Sequence, residues 1–274
     1  MIIVAIDPHR DDQCCAALGL MLAQVRGAPL VLASAYAVDP PADNLYAECA
    51  EAARDATQQA LDRLRATLPG RDVDVSAVAV ADGGSPAGAI HRIAVRTKAE
   101  LIVVGSSARG PVGRMLPGAV TDRLLHGAPC PVAVAPAGFS ADDASSGLDV
   151  IGVAFIERAD GRAALAWARE VARAAHAQLR LLNVPERGDS RRAELLEPGV
   201  ELLAGRPESA LAAASTELDL LVCGSRGYGP VRTVLMGSIA HAIVRDAACP
   251  VVVVPLQEAE PRVAAGDGSA TVTT

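Results

Sequence analysis

The feature that most limits how this chain can fold is that it contains one arrangement twice. Residues 105–136, GSSARGPVGRMLPGAVTDRLLHGAPCPVAVAP, align without a gap on residues 224–255, GSRGYGPVRTVLMGSIAHAIVRDAACPVVVVP. At this offset of 119, 13 of the 32 positions are identical, among them the Gly-Ser opening, a Gly-Pro-Val and the Cys-Pro-Val close. Upstream, ELIVV at 100–104 matches DLLVC at 219–223, and IIVAI at 2–6 matches IGVAF at 151–155. The chain is a duplication, and its 274 residues are ample for two domains.

Within the first copy, apolar runs and helical patterns alternate. Strands are expected at 2–6, 30–35, 73–80, 101–104 and 132–135, and helices at about 12–24, 44–68, 86–97 and 120–125. Pro69-Gly70 stops the second helix, and Pro86 suits the start of the third. Unbroken apolar strands alternating with helices predict a doubly wound open parallel sheet, covered on both faces. The second copy repeats the plan with one loss. Only about fifteen residues separate strand 179–184 from strand 200–203, against about 37 in the first copy. Its second helix is therefore expected to shrink to about two turns around 190–196. The expected domains are 1–137 and 149–256, with a small polar linker at 138–148 and a flexible tail at 257–274. The fifth strands, 132–135 and 251–255, are the expected meeting line, since pairing removes an exposed apolar edge. That would make the chain an intramolecular pseudo-dimer, compatible with further homodimerisation.

Composition narrows the partners. With 51% hydrophobic but only 2% aromatic residues, the cores must be built from Ala, Val, Leu and Ile. Trp167, on a helix with Leu165 and Val171, reads as core rather than as a stacking platform. A net charge of −7 argues against nucleic acid, which needs clustered Lys and Arg. No window is long and apolar enough for a membrane span. The six cysteines form no CxxC pair and have no His partner at zinc spacing. They read as reduced structural thiols, and the localisation expected is cytoplasmic. Asp11-Asp12 complement a helix dipole more readily than they hold a metal, so no metal site is assigned. The five histidines suit surface or helix-cap roles, and no residue is assigned as catalytic.

The chemistry concentrates after the fourth strand of the second copy, where Gly224-x-x-Gly227 is followed after nine residues by Gly237-Ser238. Glycines let a loop turn sharply and bring bare backbone to a ligand. A helix starting at Gly237-Ser238 offers unpaired N–H groups to an anion. Ser225 and Arg226 lie within reach of the same loop. The plainer alternative is a glycine-rich turn with a serine helix cap.

Spacing and context resemble the universal stress protein family, whose nucleotide-binding members carry G-x2-G-x9-G-[ST]. Gly224, Gly227, Gly237 and Ser238 match that motif, and the resemblance extends over both copies, so the chain is similar to a tandem member. It implies two five-stranded parallel sheets of order 3-2-1-4-5, adenine nucleotide alpha hydrolase-like. The implied ligand is ATP or another adenine nucleotide, with Mg as an accompanying ion. It also implies a backbone contact to the base at the end of the second strand, which is Val184 in the second copy and Ala35 in the first.

The copies depart from the family pattern in opposite ways. An Asp usual at the end of the first strand is Asp7 in the first copy and Ile156 in the second, with Glu157 one residue late. The first copy keeps Gly105 and Gly118 but has Ala108 for the second glycine and Ala119 for the Ser or Thr. A hydroxyl bond to a charged acceptor, worth roughly 1.5–3 kcal/mol, is thereby lost. Arg109 and Arg226 occupy loop positions from which a guanidinium could reach phosphate or solvent. The expectation is an adenine nucleotide held mainly in the second copy as a conformational or assembly signal. A nucleotide-independent interaction module and a slow ATPase are the competing readings. No general base or two-metal site supports rapid hydrolysis.

Overall fold

Consecutive apolar side chains can be hidden only in a sheet with helices on both faces, and the first strand shows it. In β1 (Ile2–Ala5), Ile2, Ile3 and Val4 are all fully buried. Ile2 and Val4 join one helical layer and Ile3 the other, following the two-residue period of a strand. In the computed structural model the first half continues through α1 (Gln13–Arg26), β2 (Leu30–Tyr36), α2 (Asn44–Thr67) and β3 (Val75–Ala81). Then come α3 (Pro86–Thr97), β4 (Leu101–Arg109), β5 (Met115–Pro117), α4 (Ala119–Leu125) and β6 (Val132–Ala135). After α5 (Ala141–Ser145), the second half runs β7 (Val150–Ala154), α6 (Ala159–Ala175), β8 (Gln178–Asn183), β9 (Val200–Leu202) and α7 (Pro207–Ala214). It closes with β10 (Leu220–Gly224), α8 (Ser238–Asp246) and β11 (Val251–Val254). The structure describes residues 1–8, 10, 12–37, 44–69, 72–109, 115–185, 198–225 and 236–256. The short helix expected at 190–196 and the tail lie outside them. No helix among the described residues is long and apolar enough to cross a membrane.

One sheet runs through both halves in the order β3-β2-β1-β4-β6-β11-β10-β7-β8-β9, with β5 hairpinned onto β4. Each half has the order 3-2-1-4-5 with parallel neighbours. The fifth strands, β6 and β11, join the halves antiparallel, with Val132 opposite Val253, Ala133 opposite Val252 and Val134 opposite Val251. Leu18, Leu61 and Leu165 pack from α1, α2 and α6 onto one face. Ile90, Leu124, Leu211 and Ile243 pack from α3, α4, α7 and α8 onto the other. Trp167 is in the first of these cores, and the Arg26 guanidinium lies 5.9 Å from its ring centre, tying α1 to α6 across the join. At the outer edge, Gln58 stands in for a neighbouring strand: its amide donates to the Ala77 carbonyl (3.2 Å) and accepts from the Ala79 N–H (2.9 Å).

Three features differ from the sequence expectation. The stretch 138–148 is not a bare linker. Ser140 and Asp143 form a capping box that starts α5, and Leu148 is buried beneath it. The glycine-rich loop expected after the fourth strand is instead a ribbon, in which β4 continues to Arg109 and Ala108 pairs with Leu116 of β5. Finally, α1 and α6 end at equivalent caps, Gly27 and His176, but α6 starts a turn earlier. Its first turn presses on the end of β10, where a Cβ on Gly224 would lie 2.5 Å from the Asp160 carbonyl oxygen. The counterpart Gly105 faces side chains, the nearest being the Cys15 sulfur at 2.6 Å.

Two predictions follow from this packing. Gly224→Ala must push backbone against backbone and is expected to destabilise by about 1–3 kcal/mol in urea denaturation; a neutral result would mean that α6 does not sit where described. The second concerns Glu100, which pairs with the Met1 ammonium (2.6 Å) and Arg26 (3.2 Å). Burial acts to raise its carboxyl, but the ammonium and the guanidinium outweigh it and hold the group below the ordinary glutamate value. The pair's contribution is therefore complete above that ordinary value and is lost as pH falls through the lower folded one. Glu100→Gln is expected to flatten the acid limb of the stability–pH curve. An unchanged limb would show that the pair contributes nothing.

Candidate functional site

β1 lies between β2 and β4, and the chain leaves it for opposite sides of the sheet, so the carboxyl ends of these strands part. In the first half they open onto a cavity of about 300 Å³. Asp7, Ala35, Gly105 and Gly118 all line it, each from a different element end. Gly118 caps α4 with an extended backbone (φ −75°, ψ 169°) and no side-chain bond, and Ala119 and Val120 follow it along the wall. Thr121, which the sequence reading passed over, donates from Oγ1 to the Gly105 carbonyl at 2.9 Å. It fastens the first turn of α4 to the end of the strand, and its place three residues after Gly118 is the signal that could have revealed it.

The charged rim is largely self-satisfied. Arg10 Nε lies 3.3 Å from Asp7 Oδ2, with both side chains about half exposed. Asp12, in the cap position of α1, accepts from the Cys15 and Ala16 N–H groups through its carbonyl, while its carboxylate accepts from the Asp7 N–H at 2.6 Å. Asp11 and His9 lie outside the described residues, and no cluster of metal-ligating side chains occurs among those described. His126 and His176 are helix C-cap residues. His241 Nε2 stands 3.9 Å from Asp122 Oδ1, linking α8 to α4 across the join.

The second half arranges the same elements differently. Gly224 ends β10, and the Ser225 N–H donates to the Val254 carbonyl (2.9 Å), while its buried hydroxyl has no hydrogen-bond partner among the described residues. Gly237 caps α8 with the same extended geometry as Gly118 (φ −68°, ψ 154°), and Ser238 is its first residue. Val184 follows directly on β8. Arg226 and Gly227 lie outside the described residues, so half of the expected loop is not placed. Of the placed residues Ser225 is buried, Val184, Gly224 and Gly237 are half-buried, and Ser238 is exposed. By strand register Asn183 is the counterpart of Ser34. The Asn183 amide spans from β8 to the end of β7, donating to the Phe155 carbonyl at 2.8 Å. Ser34, in the wall of the first-half cavity, is too short for that bridge; its buried hydroxyl has no hydrogen-bond partner among the described residues.

Thiol chemistry is suppressed at the buried cysteines of both halves. Burial pushes the Cys130, Cys223 and Cys249 thiols up to about 12, with the Asp160 charge adding to the effect at Cys223. Cys15 is raised well above its ordinary value by its bond to the neighbouring Cys14 thiol and by burial. These sulfurs are neutral packing groups. The groups that remain to meet a ligand are backbone amides, apolar walls and the Asp7–Arg10 rim, an arrangement suited to binding.

A sequence model of the universal stress protein family matches residues 1–136 and 191–255. A universal stress protein of Mycobacterium tuberculosis is 30% identical over 187 residues, which is 59% of this chain and 63% of that relative. The chain thus matches less than two thirds of the length of its mycobacterial relative. A universal stress protein of Thermus aquaticus is 31% identical over 131 residues, covering 48% of this chain and 94% of that one. Among solved structures, a universal stress protein from Archaeoglobus fulgidus superposes with a TM-score of 0.69 at 19% identity, over 93% of this chain and 98% of that one. That likeness speaks for the fold, and the sequence match speaks for descent. By both its sequence and its strand order, the chain belongs to the universal stress protein family.

Proposed function

We propose that the chain is a cytoplasmic stress-response regulator that binds an adenine nucleotide as a conformational or assembly signal, with the first-half cleft as its principal site. The observation that carries this reading is the cleft itself. It lies where strand order reverses, the place at which open parallel sheets take ligands. Asp7, Ala35, Gly105 and Gly118 meet on it, and its lining of Ala, Ile, Pro and Val suits a flat heterocycle. Family membership supports the adenine class.

A second reading rests on the intact spacing of Gly224, Gly227, Gly237 and Ser238, which favours ATP, with Mg, in the second half. Asn183 and the early start of α6 weigh against it, because an amide bridge and a helix backbone stand beside the strand ends that a base would approach.

Thermal melting with millimolar adenine ligand tests binding, since a ligand held only by the folded state raises its stability by about 2.7 kcal/mol at a hundred times Kd. Ser34→Asn is expected to copy the second-half bridge into the first half. The ligand-induced rise should disappear while the ligand-free melting temperature stays near its original value, because the fold already accepts this residue at the equivalent position. A rise that survives Ser34→Asn but is lost in a bulky substitution of Gly237 moves the site to the second half. No rise in the unaltered protein leaves the ligand-independent interaction module as the function.

A further inference from the structure

We propose that the first-half cleft selects an adenine nucleoside over a nucleoside triphosphate; the inference rests on the adenine reading above and narrows it. The cavity, at about 300 Å³, is at the small end of ligand pockets, and its walls are mostly apolar. Arg10 is the only cation among its described lining residues, against two carboxylates, Asp7 and Asp12. That cation is already engaged by Asp7 at 3.3 Å. A triphosphate would bring several negative charges to a rim whose described side chains are net acidic, where repulsion within a few ångströms is only partly screened.

Two donors near the mouth are committed elsewhere, which leaves the first amides of α4 to meet a ligand. The Asp7 N–H, at the mouth of the cleft, donates to Asp12. The Thr121 hydroxyl is turned to the Gly105 carbonyl. Ala119 holds the position where a hydroxyl would otherwise reach phosphate. The buried Ser34 hydroxyl, in contrast, lies in the wall without a hydrogen-bond partner among the described residues. A neutral ribose or base edge can pair with such a group without adding charge. The arrangement thus offers a polar partner to the uncharged part of a nucleotide and meets its phosphates with described side chains that are net acidic.

The test is isothermal titration of the full chain with adenosine, AMP and ATP, with and without Mg²⁺, counting only the binding that Ser34→Asn removes. Adenosine is expected to bind tightest and ATP at least tenfold more weakly in both conditions. Raising the ionic strength should narrow that gap, and so should Asp7→Asn combined with Asp12→Asn, by threefold or more. The salt series on the unaltered protein stands if the double variant folds poorly. ATP binding as tightly as adenosine, with or without Mg²⁺, overturns the charge selection and leaves the adenine reading in place. Failure of all three ligands to bind overturns both.

Discussion

Everything in this structure depends on six small apolar residues meeting along one line. Val132, Ala133 and Val134 of β6 pair antiparallel with Val253, Val252 and Val251 of β11, and all six are essentially buried. Each strand is the outer edge of its own half, so leaving either unpaired would expose a row of backbone donors and acceptors beside valine side chains. The join fuses two parallel half-sheets into one and sets the strand ends of the two halves in opposite directions. It also places α1 beside α6 on one face and α4 beside α8 on the other. Asp122 and His241 occupy equivalent positions, 119 residues apart, and face each other there. Two identical chains joined in this way would have to set like against like. A duplicated chain is free to set a carboxylate against an imidazole.

The same freedom has let the two ligand regions diverge. In the first half Gly105 faces side chains, and the buried Ser34 hydroxyl makes no bridge to the end of β1. In the second half the helix begins a turn earlier, its backbone lies against Gly224, and Asn183 ties the strand ends together. The first half has lost glycine and hydroxyl positions of the cradle yet retains a cleft. The second has kept those positions and set a helix backbone and an amide bridge beside them. On this account motif integrity and cavity formation are separate properties, because the first depends on loop residues and the second on what stands at the ends of the strands.

Much of the fold was legible from the residues. Unbroken apolar runs located the strands, Ala-rich amphipathic stretches located the helices, and the repeat showed that whatever one half forms the other forms again. The strands named as the meeting line, 132–135 and 251–255, are the two that pair. The less legible parts depend on contacts between distant residues. The β4–β5 ribbon requires Ala108 to pair with Leu116, eight residues further along the chain. The early start of α6 requires β10 to accept it, and no local propensity announces that. The α5 cap was within reach, since Ser140 and Asp143 stand three residues apart before a short polar run. The contrast between Ser34 and Asn183 was also visible in the letters. Its meaning emerged only once strand register placed both beside the end of the first strand of their half.

The central claim, that the open strand ends of the first half form the ligand site, is most directly tested by amide NMR during titration with adenosine. The account predicts shifts gathered on Asp7, Ala35, Gly105 and Val120, with Val184, Gly224 and Ser238 unmoved. Shifts gathered on the second group, with the first unmoved, would contradict it.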